Sequence, residues 1–442
     1  MTLQDILDPM LDASSKGFPH HSPPLRRSAI GSQGWNVLRG DLPLPLAVIR
    51  RDALAGNLKW MQGFANSRGV GLAPHGKTTM SPQLFRRQLD AGAWGLTFAT
   101  VVQLRAGVAA GALRCIIANQ VFRAVDLQGI DDLKRGNPRL RVAFLVDSLA
   151  QLDLIEAWHA AATRPQAMEL LLEIGVDGGR TGCRTHEQAL ALAVRVRRSD
   201  AAKLVGIECY EGLGATGQSG PDTAYANALM QRMHAIAAAC DAQQLFESDE
   251  MLLTAGGSAI FDLVANGLKM SLSLPVRGLL RSGCYVTHDH GTYHRMMNAV
   301  AQRMGCGHGL HAAMEVWACV QSCPEPGLAI LSVGKRDISY DLELPVPIGF
   351  CRQGETTMTA APVDWKIAGL NDQHAYLKYE GNNQADIKQA DQRDSGPRHP
   401  ALRVGDLVAL GISHPCTTFD KWRWMPVVDE QTNVCDAIVT CF

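Results

Sequence analysis

Short apolar, β-branched runs recur between residues 71 and 286, separated by amphipathic stretches with helical spacing. The runs are GLAPHGKT (71–78), WGLTFAT (94–100), RCIIANQV (114–121), RVAFLVDS (141–148), MELLLEIGV (168–176), LVGIECYEG (204–212), MLLTAGGS (251–258) and VRGLLRSGCYV (276–286). Between them lie segments such as SPQLFRRQLDAG, TVVQLRAGVAAG, LAQLDLIEAWHAA and THEQALALAVRVRR, each with one apolar face. Eight strands alternating with helices over this length predict a (β/α)8 TIM barrel. A doubly wound open sheet has the same rhythm, and the pattern alone does not separate the two.

The rhythm changes after about residue 300. EVWACVQS, GLAILSVG, AYLKYE, GDLVALGI and DAIVTCF read as strands without helices between them, which predicts a C-terminal β domain. The polar stretch 380–400 reads as one of its connections. Residues 1–42, with the patch FPHHSPPLRR, read as an irregular leader. The expected organisation is therefore a leader over 1–42, a barrel over 43–300 and a β domain over 301–442. The strand LAVI (46–49) is a candidate to pair with that β domain.

Composition narrows the classes of function. The chain has 442 residues, 46% hydrophobic and 19% charged, with a formal net charge of -1. Such a balance gives no whole-molecule attraction to nucleic acid or to an anionic membrane. The 12 cysteines are irregularly spaced beside apolar residues, unlike a secreted disulfide framework. With no signal-peptide pattern and no apolar run of spanning length, the expected location is the cytoplasm.

In a barrel the chemistry sits where strands end and βα loops begin. Polar and glycine residues gather at those ends: His75-Gly76-Lys77, Gly179-Arg180, Tyr210-Glu211-Gly212, Gly256-Gly257-Ser258, and Arg281 with Gly283 and Tyr285. A lysine at a strand end can lose hydration, which lowers its pKa and makes it a nucleophile toward an aldehyde. The Gly256-Gly257-Ser258 turn can offer backbone N–H groups and a hydroxyl to a phosphate. Near the C-terminus, His414 and Cys416 stand two apart in what reads as an extended segment, so both can reach one ion. Taken singly, each of these features is also compatible with an ordinary surface lysine, a plain turn and a buried cysteine beside an incidental histidine.

Their combination and order are more specific. PHGKTT, LEIGVDGGRTG, ECYEG, TAGGS and RSGCY, in that sequence, resemble the fold-type III pyridoxal-phosphate enzymes. Within these, the chain is similar to the D-serine dehydratase and D-threonine aldolase group, with an alanine-racemase-type barrel. The resemblance implies that Lys77 forms the Schiff base with the cofactor and that Arg180 lies near its phenolic oxygen. Tyr210 would face the pyridine nitrogen, while Gly256, Gly257 and Ser258 hold the phosphate with Tyr285 close by. It further implies a divalent metal on His414 and Cys416, for which zinc suits the thiolate best, with manganese or magnesium as alternatives. The segment departs from the group's pattern at Ala73, where an arginine is common, and at Thr79, where a histidine often stands. The group's Glu-Glu-His segment corresponds to Asp372-Gln373-His374.

The expected function is dehydration and deamination of a D-3-hydroxy amino acid, such as D-serine or D-threonine, to a 2-oxo acid and ammonia. A metal-activated D-threonine aldolase is the alternative on the same scaffold, and a non-catalytic cofactor-binding protein is the alternative from another class. The resemblance also implies a homodimer acting on a small-molecule substrate. His288, His290 and His294 in THDHGTYH read as a solvated or substrate-facing loop, Cys319 and Cys323 as β-domain core, and Cys306 with His308 as incidental. No strand–helix join carries a GxxxxGK[ST] phosphate loop, so nucleotide binding has no support.

Overall fold

The computed structural model describes residues 2–306, 309–379 and 401–442. The polar stretch 380–400 and His308 lie outside the described residues. The chain packs as two compact units. The first is built mainly from Leu58–Tyr285 and Arg295–Gly309, the second from Gln4–Asn57, Val286–His294 and Leu310–Phe442.

In the first unit, eight strands run in the order Gly71–Leu72, Val276–Leu280, Met251–Ala255, Ala202–Cys209, Met168–Ile174, Arg141–Val146, Arg114–Gln120 and Leu96–Phe98. All seven neighbouring pairs are parallel. The two ends of this path meet at a parallel bridge between His75 and Thr97, where Thr97 Oγ1 also donates to Ala73 O at 2.6 Å. That contact makes the sheet a nearly closed barrel instead of an open doubly wound sheet. Ala73, Ile116, Ala143, Leu145, Leu171, Val205, Leu252 and Leu279 fill its interior as one cluster, all 2% exposed or less. Both faces of each strand are covered, which is why the runs read as continuously apolar rather than alternating.

The helices start where local sequence instructs them to. Thr100, Ser148 and Thr185 each cap a helix by accepting from the backbone N–H three residues on, at Gln103, Gln151 and Gln188. Each of those glutamines reaches back to a backbone N–H just before the cap, at Ala99, Asp147 and Arg184. This Ser/Thr-x-x-Gln box satisfies orphan donors from both directions. It fixes two helix starts, at Val101 and Leu149, directly behind the strand ends Phe98 and Val146, and a third at His186, after the longer loop that follows Ile174.

The second unit is a ten-stranded sheet around Met314–Glu325, which pairs antiparallel with Leu407–Gly411 and with Leu46–Arg50. The strand containing LAVI thus joins the β sheet, and it also pairs parallel with Trp424–Val428. Residues 43–57 and 286–294, read from the sequence as barrel, cluster with this unit instead. The leader is an integral layer of it. Phe18 is buried edge-on against Trp35 and Trp424, and the Lys16 ammonium lies 3.7 Å over the Trp422 ring. No helix among the described residues is long and apolar enough to cross a membrane.

Candidate functional site

The C-terminal ends of the barrel strands bring together side chains from five strands. After Gly71–Leu72 the chain passes through Pro74 and coils into a 3-10 turn, Gly76–Thr78. Gly76 is required there, because a Cβ would lie 2.6 Å from the Phe98 ring and 2.8 Å from Phe85. Lys77 stands on this turn and is exposed, so the expected loss of hydration is not supplied by this chain's own packing. The correction has a simple cause: a short turn at the rim carries the side chain outward while its neighbours Gly76 and Thr78 are buried.

The His75 ring ties the site together. Its pKa is driven well below the ordinary value by burial first, then by the nearby charges of Lys77, Arg281 and Arg180. The charges of three cations on separate strand ends are thus felt at the His75 ring and favour its neutral form. The Arg180 guanidinium lies 4.9 Å from the centre of the Tyr210 ring. Burial raises the Tyr210 phenol, as does Glu211, so the ring stays neutral near pH 7. Arg180, Thr181, Tyr210 and Glu173 line one small cavity, in which Thr181 Oγ1 donates to Glu173 Oε1 at 2.7 Å.

Beneath these groups, Arg281 is 3% exposed and staples three strand ends. It donates to Glu208, to Thr254 Oγ1 at 2.7 Å and to Cys209 O at 3.1 Å. Burial pushes Glu208 up to about 8, against the pull of Arg281. The Gly256-Gly257 turn sits directly on this pair and its neighbour. A Cβ on Gly256 would fall 2.7 Å from Arg281 Cζ, and one on Gly257 would fall 2.6 Å from Glu211 Oε1. Ser282 Oγ donates to Gly257 O and so orients the turn. Burial raises the Glu211 carboxyl, while the N–H groups of Glu211, Gly256 and Gly257 pull it back down. Tyr285 is buried, its hydroxyl accepting from Gln88 Nε2 at 3.3 Å. An amine, two guanidiniums, a neutral phenol and a glycine turn at one rim can hold an anionic aldehyde through both its carbonyl and its charge.

A second constellation lies within the β unit. His414 and Cys416 were expected on an extended segment. His414 is extended, but Cys416 is in the first turn of the short helix Pro415–Phe419, for which Pro415 sets the starting φ. The two side chains nevertheless meet, since they hydrogen-bond each other. Burial pulls the His414 pKa down, but Cys416 and Asp341 outweigh it and hold it at about 9. Among the described residues no group of three His, Cys, Asp or Glu side chains is arranged to hold a metal. A cation on this pair would keep open positions, as catalytic centres do and closed structural centres do not.

The histidine loop differs from its expectation. His288 is 2% exposed, at a φ of 48°, and its Nε2 has no hydrogen-bond partner among the described residues; His290 packs over Gly411 and its Nδ1 likewise has none among them. Asp289 folds the loop inward by accepting the N–H groups of Gly291, Tyr293 and His294, which buries His288 and half-buries His290, while His294 stays exposed as a solvated loop would have it. Cys319 and Cys323 are half-buried on Met314–Glu325, and among the described residues no cysteine is in a disulfide. The sequence places His75 at the rim but gives it no role, and neither Glu208 nor Asp341 is singled out there. Glu208 could have been found as the one charge inside the apolar run LVGIEC. Asp341, 73 residues from His414, left no local signal.

Two family models match the chain: the alanine racemase N-terminal domain over residues 49–290 and a D-serine dehydratase-like domain over 313–428. D-threonine aldolase of Arthrobacter sp. is 27% identical over 346 residues, covering 77% of this chain and 81% of that protein. D-threo-3-hydroxyaspartate dehydratase of Delftia sp. strain HT23 is 30% identical over 172 residues, covering 39% and 44%. The solved D-threonine aldolase of Filomicrobium marinum superposes with a TM-score of 0.71 at 23% identity, over 90% of this chain and 95% of its own. The solved Delftia dehydratase gives 0.67 at 22%, over 92% and 99%. One variant of that dehydratase is described in a metal-free form.

Proposed function

This chain belongs to the alanine racemase N-terminal-domain family of fold-type III pyridoxal-phosphate enzymes, and from that premise we propose that it is a lyase cleaving D-3-hydroxy amino acids by β-elimination. Pyridoxal phosphate, when bound, supplies the electron sink for charge developing at Cα. The observation that carries the reading is the gathering, at the C-terminal ends of the barrel strands, of the turn bearing Lys77, the Arg180 guanidinium over the Tyr210 ring and the Gly256-Gly257 turn seated on Arg281 and Glu211. Lys77 would hold the cofactor through its exposed amine, and the same amine, when free, would take the proton from Cα. Arg180 would bind the phenolic oxygen, and the turn Gly256-Gly257-Ser258 would bind the phosphate, with Tyr285 beside it. Arg281 lies under that turn and adds positive charge, while burial favours the neutral form of Glu211 next to an anion.

Tyr210, whose phenol stays neutral, would stand opposite the pyridine nitrogen and leave it largely unprotonated. A weaker electron sink favours a reaction in which the charge departs at once with a leaving group. Hydroxide leaves poorly unaided, and a divalent cation on His414 and Cys416, when bound, supplies Lewis acidity at a hydroxyl oxygen. A thiolate in the donor set favours zinc over manganese or magnesium. The products are a 2-oxo acid and ammonia. The aldolase reading comes second, favoured by the Arthrobacter relative that matches most of this chain.

Incubation with D-serine, D-threonine and D-3-hydroxyaspartate, with and without a chelator, decides between them. Elimination predicts 2-oxo acid and ammonia, lost on chelation. Glycine plus an aldehyde would replace it with the aldolase, and no turnover of any of the three would defeat both.

A further inference from the structure

Asp341 and His414 are 73 residues apart and meet side chain to side chain, with His414 Nδ1 2.6 Å from Asp341 Oδ2. The other carboxylate oxygen accepts from Thr417 Oγ1, also at 2.6 Å. The two segments are laced together around this contact. The N–H of His414 donates to Ser339 Oγ at 3.1 Å, that of Ser339 to Thr418 Oγ1 at 3.1 Å, and Trp422 Nε1 to Asp337 O at 2.8 Å. The carboxylate is thus delivered to the ring in one orientation by backbone and hydroxyl contacts on both sides.

We propose that Asp341 is a positioning residue for the cation on His414 and Cys416, an inference that rests on the metal reading above. A carboxylate can only accept, so Nδ1 must be the protonated nitrogen. Nε2 is then the nitrogen left to face a metal, its proton being displaced when a cation binds. A carboxylate behind a ligating imidazole fixes its tautomer and rotation and strengthens it as a donor. Asp341 does not itself ligate. Both its oxygens are engaged, and it forms no three-membered ligand group with His414 and Cys416. Thr417, one residue beyond the thiol, sets the plane of the carboxylate.

The test is cobalt(II) binding to metal-stripped protein, measured by chelator competition and by the thiolate-to-cobalt absorption band. Asp341→Ala should weaken binding about 10- to 100-fold while keeping that band, because Cys416 still ligates. Asp341→Asn, which keeps an accepting oxygen, should lie between it and the unsubstituted protein. Thr417→Val leaves the His–Asp contact in place and should cost less than Asp341→Ala. It serves if the alanine variant unfolds, as judged by the thermal midpoint of the metal-free protein. Unchanged affinity in all three variants, while His414→Ala and Cys416→Ala lose the cation, would overturn the proposal and leave the metal reading standing. Loss in Asp341→Ala as complete as in His414→Ala would make Asp341 a ligand and equally overturn it. Full affinity in both His414→Ala and Cys416→Ala would instead remove the metal reading.

Discussion

At the scale of single residues, the site depends on how closely the chain's own atoms approach one another. Ser258 is proposed to give one hydrogen bond to a charged phosphate. Such bonds are worth roughly 1.5–3 kcal/mol, so Ser258→Ala should weaken pyridoxal phosphate about 10- to 100-fold. Pyridoxal, which lacks the phosphate, should bind Ser258→Ala as it binds the unsubstituted protein; equilibrium titration of both ligands checks this. Gly256→Ala should lose the cofactor as well, since its Cβ would meet the Arg281 guanidinium at 2.7 Å, a group pinned by three hydrogen bonds. Lys77 teaches a different lesson. Its place after the first strand was legible in the sequence, but its exposure was not, because that is set by how a three-residue turn leaves the rim.

At the scale of elements, the Arg281 staple joins Ala202–Cys209 and Met251–Ala255 to the end of Val276–Leu280. Removing Arg281 leaves the buried Glu208 carboxyl, already pushed up by burial, and Thr254 without their donor, at a cost of roughly 1–3 kcal/mol for each group left unsatisfied. Arg281→Met should therefore lower the denaturant midpoint sharply, and the double variant with Glu208→Gln should recover much of the loss. The histidine loop makes the second unit acid-sensitive. Burial lowers His288 to about 3 and His290 to about 4 from an ordinary 6.5. An unfolded chain takes up these protons near 6.5 and the folded one does not, so stability held above that value is lost as pH falls through it. His288→Asn tolerates the positive φ and removes one of the two titrations. Its thermal midpoint should fall less than that of the unsubstituted protein between about pH 7 and about pH 5; parallel curves would contradict this.

The elements themselves were largely legible. All eight barrel strands lie inside the apolar runs or overlap them, because strands buried on both faces must be apolar throughout. The run ends were not. GLAPHGKT yields only Gly71–Leu72, since Pro74 has no N–H for the ladder and Gly76-Lys77-Thr78 coils. VRGLLRSGCYV stops at Leu280, where Arg281 turns inward to Glu208. The helix at Pro415–Phe419 was missed because five residues are too few to show a period. Assignment of residues 43–57 to the β unit rests on long-range pairing that no local pattern encodes.

At the scale of the whole molecule, the barrel rim carries apolar side chains that this chain leaves in water. Val102, Phe122, Val125, Leu149 and Leu213 follow the ends of four strands and are 45–75% exposed. Tyr340, Leu342 and Leu344 on the β unit are 38–49% exposed. Exposed apolar groups of this size are candidates for an interface. We propose a homodimer in which a second copy covers those of the rim, which would also supply the loss of hydration that Lys77 lacks here. Light scattering should report a dimer, and Phe122→Asp combined with Leu149→Asp should shift it toward monomer. A monomeric unsubstituted protein with full activity would contradict this arrangement.

The central claim is that one amine at the barrel rim bonds covalently to an aldehyde cofactor. Borohydride reduction of the cofactor-loaded protein, followed by peptide mass spectrometry, tests it directly. The account predicts a phosphopyridoxyl mass on the peptide carrying Lys77, absent from Lys77→Ala. The same mass on another lysine, or on none, would contradict it.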